Sequence, residues 1–277
     1  MKNDGRQLAI LLLAFQALVV LLVSIPGAIS VVTSGPSFSY DPHQKLGPLE
    51  WGHLYNNWTN CTLGHRQTPI NILDKNVKVN ASLGQLRFKY KPVLGEAYQT
   101  GHGIKVAIEG DGGSIEINGK TYNLIQYHWH WPSEHAINGK RHVLELHLVH
   151  SNPQGLAVVG VLFDYGHKNS LLKTMLPKFH KIGDGKLELG TINPKIITFK
   201  SSRYYRYDGS LTTPPCTEGV VWTVLAKVMK VSRKQLVDFE KTVNDSYTST
   251  ARPIQHLDGR LVFSKKPPRG PRSSCKR

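Results

Sequence analysis

The stretch Gln126–Trp131 reads QYHWHW, and a second stretch, Leu144–His150, reads LELHLVH. In a β-strand, residues two apart lie on the same face. The first stretch therefore places His128 and His130 on one face and its aromatic residues on the other, and the second places His147 opposite a row of leucines. Two neighbouring strands of this kind would each bury an apolar face and bring three imidazoles together on the other.

Three histidines brought together in this way predict a metal site. Three neutral nitrogen ligands with a fourth position left open are the arrangement of a catalytic zinc site. A lone HxH pair is usually packed or solvent-facing, but Gln126 and Glu145 each lie two residues before a candidate ligand, on the same face. A metal-bound histidine usually donates its second N–H to such a partner. The pattern therefore predicts Zn²⁺ bound by His128, His130 and His147 and oriented by Gln126 and Glu145.

From about Phe38 to Phe263 the sequence resembles the α-class carbonic anhydrases, and plant members most closely. The matching stretches are QYHWHW at 126–131, SEH at 133–135, ELHLVH at 145–150 and SLTTPP at 210–215, in the family's order and at similar separations. The resemblance implies zinc-dependent, reversible hydration of carbon dioxide to bicarbonate and a proton. It also implies a mainly β (α+β) single domain, built on a large, mostly antiparallel twisted central sheet with a few short peripheral helices.

The resemblance implies roles for further residues. Thr212 matches a catalytic hydroxyl that orients the zinc hydroxide and donates a hydrogen bond to a glutamate, matched by Glu134. His102 matches the proton shuttle, and the ammonium of nearby Lys105 is expected to lower its pKa. Thr250 stands where relatives often carry Asn. The apolar wall of the substrate pocket matches Val149, Val158, Leu211, Val220 and Trp222, and Thr213 is assigned to the same pocket.

Of the three cysteines, two match a known pair. Cys61 and Cys216 correspond to positions that are disulfide-bonded in extracellular members of the family. That bridge would tie the N-terminal region to the loop that holds Thr212. Cys275 lies in a basic tail and is either free or paired between chains.

Residues 1–30 are predicted to be a signal peptide. Two basic residues precede an apolar run, Leu8–Val23, and small residues follow it. An uncleaved membrane anchor is the alternative, because the run is only slightly shorter than the ~20 residues that span a bilayer. A signal peptide predicts a protein that is secreted or in the lumen of the secretory pathway, and either alternative places the domain outside the cytosol. Four N-glycosylation sequons agree with this route: Asn57, Asn60, Asn80 and Asn244.

The predicted domain organisation continues with a linker at 31–37, the catalytic domain at 38–264 and a basic disordered tail at 265–277. The net charge is +16 and the pI about 9.8. No nucleic-acid recognition motif accompanies this charge, so nucleic-acid binding is not expected. The tail is expected to give weak attraction to anionic surfaces. The oligomeric state is not indicated.

Local patterns predict several elements. Leu156–Phe163 is a continuous apolar run, typical of a strand buried on both faces. Helical spacing over Leu171–Phe179 predicts one helix, and a capping box of Ser232 and Gln235 begins another. Asn138-Gly139 predicts a turn between the two histidine strands.

Two other functions are compatible with parts of the pattern. One is a storage or binding protein on the same fold with weak or no activity, since a fold does not determine function. The other is a catalytically inactive relative used for adhesion; such relatives typically lack a zinc histidine, and all three are present here. A turnover measurement with zinc quantified separates the enzyme from the storage protein.

Overall fold

The computed structural model describes residues 37–183, 185–197, 203–243 and 248–267. The predicted signal peptide, all of the linker except Ser37, Asn244 and the tail from residue 268, including Cys275, lie outside the described residues. Phe38–Arg277 forms one compact unit, to which the fold below belongs. Within the described ranges, no helix is long and apolar enough to cross a membrane.

Strands dominate the described residues. The α-helices are α1 (Trp51–Leu54), α2 (Asn60–Leu63), α3 (Ser170–Phe179) and α4 (Arg233–Thr242). The strands of the first half are β1 (Asn71–Ile72), β2 (Lys78–Val79), β3 (Arg87–Phe88), β4 (Val93–Gln99), β5 (Ile104–Glu109), β6 (Ser114–Ile117), β7 (Lys120–His130), β8 (Ala136–Ile137) and β9 (Lys140–Arg141). The later strands are β10 (Leu144–Asn152), β11 (Gly155–Tyr165), β12 (Lys186–Ile192), β13 (Tyr204–Ser210), β14 (Glu218–Leu225), β15 (Met229–Val231) and β16 (Phe263–Ser264).

One large sheet organises the protein. Its strands follow the order β12-β4-β5-β7-β10-β11-β14-β13-β16-β2, with β15 beside β11 and β3 joined through β6 to β7. Most neighbours are antiparallel, whereas β14 and β15 run parallel to β11 and β2 runs parallel to β16. A small second sheet contains β1, β8 and β9. The expected mainly β fold with a large central sheet and few short helices is confirmed.

The central strands bury one face against the two longer helices. Trp129 of β7 lies with its ring centroid 5.6 Å from that of Phe179 in α3 and 5.5 Å from that of Phe239 in α4. The Asn169 side chain caps α3, and the predicted capping box of Ser232 and Gln235 begins α4. The helical and aromatic side chains therefore cover this face, and the opposite face of β7 and β10 is left to the histidines.

The Asn138-Gly139 turn lies between the two histidine strands along the chain. It closes the short β8–β9 hairpin, with φ of 50° at Asn138 and 81° at Gly139. The two histidine strands, β7 and β10, are adjacent, but the segment between them leaves the main sheet to form this hairpin, and β8 pairs with β1. The predicted turn between the two histidine strands is therefore confirmed.

Candidate metal centre

Pairing of β7 with β10 brings the three predicted ligands together. His147 lies directly opposite His128 in the antiparallel register, and Glu145 lies opposite His130. Directly opposed residues project from the same face of a sheet. The three imidazole centroids are consequently 4.7–5.2 Å apart. One nitrogen from each ring lies within 4.8 Å of the others.

Each imidazole has its second nitrogen bonded to an acceptor. Nδ1 of His128 donates to Gln126 Oε1 at 2.9 Å, and Nε2 of His147 donates to Glu145 Oε1 at 2.9 Å. Nδ1 of His130 donates to the backbone carbonyl oxygen of Thr250 at 2.7 Å. These oxygens can only accept, so each bond fixes where the ring proton sits. The nitrogen lone pairs that remain are on His128 Nε2, His130 Nε2 and His147 Nδ1.

Burial keeps the first two rings neutral. It holds the pKa of His128 well below its usual range, and the neighbouring imidazoles and Lys105 lower that pKa further. Burial also lowers the pKa of His130, although Glu134 opposes this effect. Neutral imidazole is the form that coordinates a metal ion.

Two buried atoms of the centre have no hydrogen-bond partner among the described residues. They are Nε2 of His130 and Oε2 of Glu134, which lie 3.5 Å apart, and the same carboxylate oxygen is 3.9 Å from His147 Nδ1. An unsatisfied buried polar atom costs about 1–3 kcal/mol, so such atoms indicate an additional binding partner. Three neutral imidazole nitrogens form a donor set that suits zinc. The residues present fit that metal.

A second layer of hydrogen bonds holds Glu145. Its Oε1 accepts from His135 Nδ1 at 2.7 Å as well as from His147, and its Oε2 accepts from the His135 backbone N–H. The other His135 nitrogen, Nε2, lies 2.6 Å from the Tyr207 hydroxyl. Burial alone would raise the pKa of Glu145, but the imidazoles of His135 and His147 hold it well below its usual value. Glu145 is thus an ionised acceptor fixed on both sides.

Glu134 is oriented by a contact that the sequence did not predict. Its Oε1 accepts the backbone N–H of Arg252 at 2.9 Å. The Arg252 guanidinium is buried and donates to Gln67 Oε1 and to the carbonyl oxygens of Thr68 and Cys61. The expected hydrogen bond from Thr212 to Glu134 is not formed, because Glu134 Oε2 is turned towards the two histidines and accepts no bond from any described residue.

The loop that carries Thr212 is fixed by the predicted disulfide. Cys61 and Cys216 are bonded, with their Cα atoms 5.0 Å apart, so this pairing is confirmed. The Cys216 backbone N–H donates to the Thr213 carbonyl, and Leu211 N–H donates to the Thr217 carbonyl. The bridge ties this turn to α2, whose Cys61 carbonyl also accepts from Arg252.

An apolar wall borders the histidines. The Trp222 ring centroid lies 4.9 Å from that of His147. Trp222 shares one buried cluster with other residues assigned to the substrate pocket, Val149, Val158 and Val220, and Leu211 packs against this cluster. Thr213 is half-buried in the adjoining turn.

His102 and Lys105 occupy different surroundings. His102 is half-buried in the turn between β4 and β5, where Gly101 and Gly103 have positive φ. Burial lowers its pKa. Lys105 lies directly opposite His128 in the β5–β7 pairing, with Nζ 4.8 Å from the Tyr98 ring centroid. The ammonium therefore lowers the pKa of His128. The pKa of His102 is lowered as predicted, but the cause is burial and not Lys105.

The sequence does not predict two parts of this centre, the Thr250 carbonyl and Arg252. Thr250 was noted as a departure from Asn, but its contact with His130 uses the backbone, so the side chain does not decide that bond. Its hydroxyl instead accepts the Trp131 backbone N–H. No local spacing signal could have indicated the carbonyl of Thr250 or the buried guanidinium of Arg252, whose partners lie more than a hundred residues away.

The fold and the three oriented imidazoles define a mainly β protein built around a candidate metal centre. The chain belongs to the family of eukaryotic-type carbonic anhydrases, whose family model matches residues 46–266. It is 38% identical over 253 residues to alpha carbonic anhydrase 4 of Arabidopsis thaliana, covering 90% of this chain and 94% of that protein.

Two solved structures have the same fold. A crystal structure of dioscorin complexed with ascorbate superimposes with a TM-score of 0.79 at 37% identity, covering 82% of this chain and 97% of the other. The α-carbonic anhydrase of Thermovibrio ammonificans in complex with the inhibitor sulfanilamide gives a TM-score of 0.76 at 35% identity, covering 83% and 99%. The fold is therefore shared with enzymes and with a dioscorin.

Proposed function

We propose that this protein catalyses the reversible hydration of carbon dioxide to bicarbonate and a proton, with zinc bound by His128, His130 and His147. The observation that carries the proposal is the set of three converging nitrogen lone pairs, each fixed by a hydrogen bond at the opposite ring nitrogen. Family membership supports the same reaction. Zinc bound by three histidines supplies hydroxide near neutral pH, as is established for carbonic anhydrase itself.

The residues around the histidines are proposed to bind the substrate, orient the attacking oxygen and transfer the proton. Carbon dioxide is uncharged, so the apolar wall that includes Val149, Val220 and Trp222 gives it a binding surface next to His147. Thr212 and Glu134 are proposed to orient the attacking oxygen. His102 is proposed to carry the released proton to buffer.

A storage or binding role is the second candidate, because a dioscorin has the same fold and is 37% identical to this chain over the superimposed residues. Stopped-flow hydration of carbon dioxide, with zinc quantified on the same sample, tests the choice. Zinc at about one equivalent per chain with turnover well above the buffer rate supports the enzyme. A zinc-loaded protein without turnover contradicts it and leaves the storage or binding role.

We also propose that the protein follows the secretory route. The Cys61–Cys216 bridge supports an oxidising compartment. The sequon residues Asn57 and Asn60 are exposed, and Asn80 is half-buried. Glycosidase digestion of the protein purified from its own tissue, followed by mass spectrometry, tests this. Unmodified asparagines at all the sequons, with residues 1–30 retained, would contradict export with cleavage.

A further inference from the structure

A cavity of about 500 Å³ lies outside the metal centre. It is bounded by α3, by β12 and by the 3-10 helix Pro194–Ile197, and Tyr127 of β7 contributes to its lining. The Tyr127 side chain is on the face of β7 opposite His128, because successive strand residues point to opposite faces. Small-molecule sites usually measure ~300–1,000 Å³. This cavity is therefore separate from the three histidines and large enough for a small ligand.

Part of the lining is apolar. Leu171 and Met175 of α3 and Ile192 of β12 line the cavity, and each is at most 5% exposed. Ile196 adds a further apolar side chain that is 42% exposed. Contact between water and these apolar side chains is unfavourable. A ligand with an apolar portion that covers them is therefore favoured.

The charged side chains of the lining are cationic. Among the described residues, Lys178 and Lys195 line the cavity and no acidic residue does. Lys178 Nζ donates to the Leu189 carbonyl at 2.7 Å. An ammonium group has three donors, so this bond leaves Lys178 able to donate to another acceptor. Charge complementarity therefore selects an anion.

The Tyr127 hydroxyl adds a weakly satisfied donor. The residue is 1% exposed, and its hydroxyl donates to the Met175 sulfur at 3.8 Å. Thioether sulfur is a weak acceptor, whereas buried hydroxyls generally bond to oxygen or nitrogen. The cavity thus combines donors and positive charge with apolar walls.

We propose that this cavity is a binding site for a medium-chain aliphatic monocarboxylate. The carboxylate is held by Lys178 and Lys195, and the alkyl chain packs against Leu171, Met175 and Ile192. A fully polar anion such as inorganic phosphate would leave the apolar walls uncovered, and an alkylamine would bring a third positive charge to the two lysines. The site does not depend on the proposed hydration activity.

Methionine methyl NMR tests the site directly, because the chain contains three methionines. Met175 lines the cavity, whereas Met229 lies on β15 and is not among the lining residues. Titration of the ¹³C-methyl-labelled protein with octanoate is expected to shift the Met175 resonance in a saturable manner and to leave Met229 unchanged. Octylamine, which has the same chain length and the opposite charge, is expected to leave both unchanged.

A matched pair of charge reversals locates the carboxylate. Lys195→Glu is expected to weaken octanoate binding about tenfold, the scale of one lost charged hydrogen bond. Lys173→Glu changes an exposed residue of α3 that does not line the cavity, and it is expected to alter octanoate binding less than twofold. An unchanged Met229 resonance verifies folding of each variant. No Met175 shift, an equal shift with octylamine, or equal effects of the two reversals would each overturn the proposal.

Discussion

The imidazole of His102 stacks on the phenyl ring of Phe38, with ring centroids 4.1 Å apart and planes inclined by 29°. Tyr40 meets the same imidazole edge-on at 5.6 Å and lies 6.4 Å from the His130 ring. The loop histidine is therefore joined to the metal centre by aromatic side chains from the N-terminal end of the domain. These contacts contribute to the burial that lowers its pKa.

Removal of the proposed shuttle should limit turnover only when buffer is scarce. His102→Ala is expected to reduce the hydration rate about tenfold or more at low buffer concentration, because no side chain then carries the proton away. Added imidazole should restore the rate. His43→Ala changes an exposed histidine and serves as the control. A rate for His102→Ala equal to wild type at low buffer would show that His102 is not the shuttle.

Loss of the stacking ring should change the titration of His102. Phe38→Ala exposes the imidazole to water, and since desolvation is what lowers the pKa of His102, that pKa should rise towards its ordinary value. NMR titration of the imidazole protons measures the change. Phe38→Trp keeps an aromatic ring and should leave the pKa low. If the pKa of His102 is the same in Phe38→Ala as in wild type, Phe38 does not contribute to its burial.

Zinc binding should depend on a ligand and, more weakly, on the group that orients a ligand. His147→Ala is expected to abolish stable zinc binding and hydration activity. Gln126→Ala removes the acceptor of His128 Nδ1 and should weaken zinc binding about 10- to 100-fold. Competition with a chelator measures both, and Gln85→Ala, at an exposed glutamine, is the control. Full activity in protein shown to be free of metal would falsify the zinc assignment.

The disulfide should contribute substantially to stability because it joins residues 155 positions apart. The chain-entropy account gives about 5 kcal/mol for a loop of this length. The Cys61→Ser/Cys216→Ser double variant is therefore expected to have a free energy of unfolding lower by that amount in urea. Cys275→Ser should leave the value unchanged. If the double variant unfolds at the same urea concentration as wild type, the bridge does not stabilise the fold.

His150 predicts a loss of stability in mild acid. Burial lowers its pKa from 6.5 to about 3, and its neutral form accepts from the Tyr90 hydroxyl at 2.6 Å and donates to the Ala157 carbonyl. Below pH 6.5 the unfolded chain gains a proton there that the folded chain does not. The stabilisation is therefore fully present above pH 6.5 and decreases as the pH falls towards 3.

Comparison with His150→Gln isolates this effect. Between pH 7.5 and pH 5 the wild type should lose about 2 kcal/mol more stability than the variant, as the linkage relation requires for these pKa values. Urea unfolding at both pH values gives the difference, and His65→Gln, at an exposed histidine, is the control. Parallel losses in wild type and His150→Gln would contradict a buried neutral His150.

The local parts of the centre could be predicted from the sequence. Alternation along β7 and β10 placed His128, His130 and His147 on one face, because strand geometry alone decides which residues share a face. Gln126 and Glu145 followed from the same alternation. The helix around Met175 and the capping box of α4 were also local patterns, and they are confirmed.

The remaining parts depend on contacts between distant segments. The acceptor for His130 is a backbone carbonyl, which every residue possesses, so no residue type marks it. Arg252 looks like an ordinary surface residue in the sequence, and only the fold shows that it is 1% exposed. The effect of Lys105 depends on the fold in the same way, because a residue close to His102 along the chain need not act on it, and cross-strand pairing places Lys105 beside His128.

The hydrogen bond from His130 to the Thr250 carbonyl spans 120 positions of the chain. During synthesis, all three histidines are therefore incorporated well before Thr250, whose carbonyl orients His130. Glu134 is similarly oriented by the backbone N–H of Arg252, which lies 118 positions later in the chain. The centre thus reaches its final form only when almost the whole domain has been synthesised. A nascent chain stalled before residue 250 carries every proposed ligand, yet it lacks the carbonyl that orients His130.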